Sequence, residues 1–112
     1  MFTNILLAVD GSEASLHAAH QGIALARSLS AKVTVVVVSV PWATYFAREL
    51  AVVVPEILVP EIEYEDKRNA KAANILWGVE ADARSASVAA KKIHRCHRDP
   101  YRAILDVAVH EH

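Results

Sequence analysis

The run Ile5-Leu6-Leu7-Ala8-Val9 ends abruptly in Asp10-Gly11-Ser12-Glu13, and a helical pattern begins at once. A continuous apolar run without alternation suits a strand buried on both faces, as in a parallel sheet with helices above and below. In open sheets of that kind, ligands bind beyond the carboxyl ends of the strands. Asp10 therefore stands where a small molecule would bind.

Ser12 is a good N-cap, and Glu13 puts negative charge in the first turn of a helix expected to run to Leu29. Leu16, Ala19, Ile23 and Ala26 recur at helical spacing and predict a core stripe, widened by Ala18, Leu25 and Leu29. His17, His20 and Arg27 fall nearer the opposite face. Val33–Val40 is β-branched and apolar on both faces, which predicts an interior strand. Two buried strands joined by one helix make a right-handed βαβ unit.

Pro41-Trp42 ends that strand. Residues 41–60, broken by Pro55 and Pro60 yet rich in apolar side chains, predict an irregular, partly helical connection packed on something. A long helix follows from about Glu61 to Ser87, with Ala72, Leu76, Val79, Ala83 and Ala86 on its core face. Gly78 costs roughly 1 kcal/mol there but need not stop it. A more polar strand is expected at Ala90–Cys96. Asp99 then suits an N-cap and Pro100 the first position of a last helix, Tyr101–Val109, with Ile104, Leu105 and Ala108 as its apolar side.

The expected order is β-α-β-α-β-α in a single domain spanning residues 1–112. A chain of 112 residues that is 54% hydrophobic can bury a real core. A net charge of -1 gives no broad electrostatic footprint for nucleic acid. One cysteine makes no internal disulfide, which points to a reducing cytoplasm. The N-terminus has no signal-peptide pattern, and the apolar run around Val33–Val38 is too short to span a bilayer. No membrane partner is expected.

Ile-Leu-Leu-Ala-Val-Asp-Gly-Ser-Glu-Ala-Ser (residues 5–15) resembles the opening of the universal stress protein family. Cys96-His97-Arg98-Asp99-Pro100-Tyr101-Arg102-Ala103-Ile104-Leu105-Asp106 resembles the segment that leads into that family's third helix. Matching stretches run from residue 2 to about residue 110. The resemblance implies a three-layer, Rossmann-like α/β fold of the adenine nucleotide alpha hydrolase type, with sheet order 3-2-1-4-5. Family members usually add a fourth strand, a Gly-x-x-Gly-x9-Gly-Ser/Thr loop, a fourth helix and a fifth strand. Here Gly11, Gly22 and Gly78 are the only glycines, none near another. The sequence thus resembles a universal stress protein shortened at its C-terminus, truncated after the third helix and without the phosphate loop.

The resemblance assigns Asp10 to the nucleoside contact and the backbone of Val40 to adenine, with Asp99 and Pro100 bordering the same cleft. ATP or AMP is the implied ligand, held weakly without the loop. Each residue also has a purely structural reading: Asp10 caps the Gly11-Ser12 turn, Val40 ends a strand, and Asp99 and Pro100 start a helix. His94, Cys96, His97, His110 and His112 do not make a closed zinc site, which needs four convergent ligands. They read as a solvated strand and a chain end. His17 and His20, neighbours on one helix face, offer at most two ligands. No nucleophile–base pair is legible, so no enzyme activity is expected beyond, at most, slow ATP hydrolysis. The leading expectation is a regulatory stress-response module that self-associates. The alternative is an ATP- or AMP-binding universal stress protein whose site is completed by a partner chain.

Overall fold

The computed structural model describes residues 3–40 and 61–110; the expected connection over residues 41–60 lies outside them. The elements are β1 (Asn4–Ala8), α1 (Glu13–Leu29), β2 (Lys32–Ser39), α2 (Glu61–Ser85), β3 (Ala90–Cys96) and α3 (Pro100–His110). The strands form a parallel sheet in the order β1-β2-β3, with Ala8 opposite Val36 and Ser39 opposite Cys96. That is the 3-2-1 part of the expected 3-2-1-4-5 order.

The β2 strand is central because its sequence tolerates burial on both faces. Val33, Val35, Val36 and Val37 are all buried, and each such side chain contributes about 1.5–3 kcal/mol. Val33, Val35 and Val37 join Ala19, Ile23 and Ala26 of α1 and Ala72, Leu76, Val79 and Ala83 of α2 in one core. Val36 packs on the other face with Ile93, Ile104 and Val107. So α1 and α2 cover one side of the sheet and α3 the other. Buried Thr34 donates its hydroxyl to Asn4 Oδ1 at 3.1 Å, which satisfies it.

The opening apolar run was expected to be buried on both faces. In the structure Asn4–Leu7 are only half-buried, because β1 pairs with β2 alone among the described residues. Two helix stripes also need correction. Leu25 and Leu29 are 52% and 37% exposed and Ala18 is exposed, so they do not widen the core face of α1. Gly22 explains why: it lies so close to β1 that a Cβ would run into Leu7 Cδ2. The helix is pinned there, and the residues beyond that flank pass over the sheet edge. On α3 the buried ridge is Ala103 and Val107, while Leu105 is 47% exposed and Ala108 is exposed. Small Ala103 lets the helix approach the sheet through a different ridge.

Helices α1 and α2 end alike. Ser30 and Ser87 adopt the left-handed conformation, φ 54° and 61°. Ala31 N–H donates to Ala26 O and Val88 N–H to Ala83 O, both at 2.8 Å. Ser30 and Ser87 N–H donate to Arg27 O and Arg84 O. These are Schellman turns, with buried Ala31 and Val88 as the apolar residue after each.

Candidate functional site

The carboxyl ends of the strands gather the candidate residues. Val9 N–H donates to Val36 O at 3.0 Å, so the β1 ladder ends just before Asp10. The Asp10 carboxylate turns back on the chain: Ser12 N–H donates to Oδ1 at 2.9 Å. Ser12 then caps α1, its hydroxyl accepting from Ser15 N–H at 3.2 Å. Ser15 Oγ donates to Ser12 O and accepts from Asp10 N–H at 3.3 Å. This network, led by the Ser12 hydroxyl and its N–H and helped by Ser15, pulls the Asp10 carboxyl down to about 2. Asp10 is exposed and fully ionised at neutral pH. Gly11 has φ 87° and backs onto Ile75 of α2, whose Cδ1 would stand 2.9 Å from an added Cβ. The turn is therefore braced by a helix 60 residues later in the chain.

Val40 follows β2 one strand over. With Ala8 opposite Val36, Val40 lies about 7 Å further along the strand direction than Asp10. Its carbonyl is engaged: Tyr64 of α2 donates its hydroxyl to Val40 O at 2.8 Å. Arg68, one turn on, lies 5.8 Å from the Tyr64 ring centroid and donates to Cys96 Sγ at 3.3 Å.

On the next strand, His97 N–H donates to Ser39 O at 2.9 Å, continuing the β2–β3 ladder. Asp99 N–H donates to His97 Nδ1 at 2.8 Å. Asp99 occupies the N-cap position, its carbonyl accepting from Ala103 N–H, while its carboxylate lies 3.5 Å from Arg102 Nε. Pro100 opens α3 as expected. The register thus sets Ser39, just before Val40, beside His97 at the start of the turn that leads to Asp99 and Pro100. Asp10 follows β1, on the far side of β2 from that turn, and its neighbour Gly11 meets α2.

Sequence reasoning missed the contacts that cross between elements. Ser39 Oγ and His94 Nε2 are 2.7 Å apart, a hydroxyl–imidazole pair on adjacent strands. Burial, and then the Arg68 charge, lower the pKa of His94, so the ring is neutral and able to accept the Ser39 proton. The pair of half-buried groups was invisible because the β2–β3 register was not readable from residue types. His20 leaves its expected neighbour His17 and pairs with Asp82 of α2 at 2.6 Å, while His17 meets Gln21. Among the described residues, no group of three His, Cys, Asp or Glu side chains converges as metal ligands would. A depression of ≈ 500 Å³ lies between the two Schellman turns, lined by Thr3, Arg27, Ser30 and Ser87 among others. It is at the amino ends of the strands, the wrong end for a ligand of a parallel sheet.

The profile of the universal stress protein family matches residues 1–112. The chain belongs to the universal stress protein family. Solved structures agree on the fold. A universal stress protein family member from Burkholderia pseudomallei superposes with a TM-score of 0.75 at 20% identity, over 98% of this chain and 74% of its own. The hypothetical protein MJ0577, whose structure was used to assign a biochemical function, gives 0.75 at 20% identity, over 99% and 69%. A universal stress protein in complex with cAMP gives 0.62 at 17% identity, over 97% and 65%. A search of curated protein sequences finds no match. No helix among the described residues of this universal stress protein is long and apolar enough to cross a membrane.

Proposed function

We propose that this universal stress protein is a regulatory, self-associating cytoplasmic module that holds the nucleoside part of an adenine nucleotide, ATP or AMP, weakly at the carboxyl edge of its sheet. In this reading Asp10 accepts hydrogen bonds from the ribose or base, the Val40 carbonyl accepts from adenine, and Asp99 and Pro100 line the far side. The observation that carries the reading is the Asp10-Gly11-Ser12 turn, which keeps an ionised carboxylate exposed at the end of a parallel strand. The relative bound to cAMP supports an adenine nucleotide as the ligand class. The weak-binding reading rests on the glycines of these 112 residues: Gly11, Gly22 and Gly78 are scattered, and none of them belongs to a glycine-rich loop of the kind whose backbone N–H groups cradle phosphates. With phosphates held poorly, the base and ribose supply most of the binding. No catalytic residue is assigned.

Calorimetric titration of ATP and AMP into the purified chain tests this. Saturable binding weaker than about 100 μM, roughly 5.5 kcal/mol, is expected for both. Low-micromolar binding of ATP would overturn the weak-binding reading.

A further inference from the structure

We propose that Tyr64 is a gate on the Val40 carbonyl, so that a ligand presenting an N–H donor to that oxygen binds only after the Tyr64 hydroxyl has let go. The inference rests on the reading of Val40 as the base contact and concerns how that contact is regulated. The hydroxyl of the half-buried Tyr64 already donates to Val40 O at 2.8 Å. The ring is held from behind as well. Arg68 lies near its face at 5.8 Å, and the same guanidinium donates to Cys96 Sγ on β3. The start of α2 is thus tied to the end of β2 through Tyr64 and to the end of β3 through Arg68.

A planar base meeting the carbonyl edge-on needs the room that the phenol takes. Binding then exchanges one donor for another, and the ligand gains only the difference. A competitor that contributes about 1 kcal/mol lowers apparent affinity about fivefold. The free protein is mostly the closed form, and the ligand selects the open one.

Titrations of AMP and purine riboside 5′-monophosphate into the wild type, Tyr64→Phe and Tyr101→Phe test the gate, with circular dichroism to confirm equal helix content. Tyr64→Phe keeps the ring and removes the hydroxyl. Tyr101 is 70% exposed on α3, across the sheet, and serves as the control. AMP carries an amino group at C6, where purine riboside 5′-monophosphate carries only hydrogen and its base edge has no N–H, so only AMP can donate from its base to Val40 O. The expected result is AMP affinity raised about three- to tenfold in Tyr64→Phe, with purine riboside 5′-monophosphate and the Tyr101→Phe protein unchanged. Equal AMP affinity in wild type and Tyr64→Phe overturns the gate and leaves the nucleotide reading standing. Equal gains for AMP and purine riboside 5′-monophosphate overturn the carbonyl as the contested group. Failure of all three proteins to saturate with AMP overturns the nucleotide reading, and the gate with it.

Discussion

Asp10 Oδ1 accepts the Ser12 N–H at 2.9 Å, and Ser12 in turn caps α1. One carboxylate therefore closes the turn after β1, sits at the positive end of a helix, and stays ionised far below the usual carboxylate range. Its folded pKa is depressed, so its stabilisation is present above the unfolded value near 4 and is lost as pH falls toward 2. Because the group is exposed, solvent screening keeps the contribution to about 0.5–1 kcal/mol. Asp10→Ala is expected to lower unfolding free energy by that amount at pH 7 and by almost nothing at pH 2, as read by urea titration. An equal loss at both pH values would show that the charge is irrelevant to the turn.

His94 shifts stability in the same direction, but in a higher pH range. Burial and Arg68 hold its folded pKa below 6.5, so the unfolded chain takes up its proton first as pH falls. Stability should decline as pH drops below about 6.5 and level off once the folded ring also protonates. Protonation would also remove the acceptor for the Ser39 hydroxyl, 2.7 Å away. Thermal unfolding from pH 7.5 to 5 should show this slope in the wild type and a reduced slope in His94→Gln. An unchanged slope in the variant would assign it to other histidines.

Ser30 and Ser87 pay a conformational cost that glycine avoids, since both sit at positive φ. Ser30→Gly and Ser87→Gly are each expected to raise stability by about 0.5–1 kcal/mol. The two sites close different helices, and the gains should add. Gly11→Ala should act in the other direction, by about 1–2 kcal/mol, from its φ of 87° and the Ile75 contact. Denaturant midpoints of the wild type, the three single variants and the Ser30→Gly/Ser87→Gly double variant provide the comparison.

The two edges of the sheet differ in a way that bears on assembly. The β3 edge carries Lys91, Lys92 and Arg95, charges of the kind that discourage strand pairing, whereas Thr3–Ala8 carries none. On α1, Gly22 marks the flank above β1 and His20, paired with Asp82, marks the flank toward α2. Helical spacing puts Leu25 and Leu29 on the β1 flank. Light scattering of the 112-residue chain at low micromolar concentration should report a dimer or larger. Leu25→Lys should shift it toward monomer without changing the circular dichroism. A monodisperse wild-type monomer would refute self-association through β1.

What the sequence determined by itself is whatever depends on neighbours in the chain. The Asp10–Ser12 turn, the Ser12 cap, Pro100 at the start of α3 and the alternation of strands and helices all follow from groups a few residues apart. Local hydrogen bonding and backbone preference decide such features before any tertiary contact forms. The strand order was also legible, though through family resemblance rather than residue pattern. Tertiary structure alone decided the rest. The Tyr64–Val40, Ser39–His94 and His20–Asp82 contacts span 24, 55 and 62 residues. Their partners are named by strand register and helix rotation, which no local preference encodes. The same is true of Leu25 and Leu105: their apolar character predicted burial, but the close approach of Gly22 to Leu7 and the Ala103–Val107 ridge set the helix rotations that left them outside.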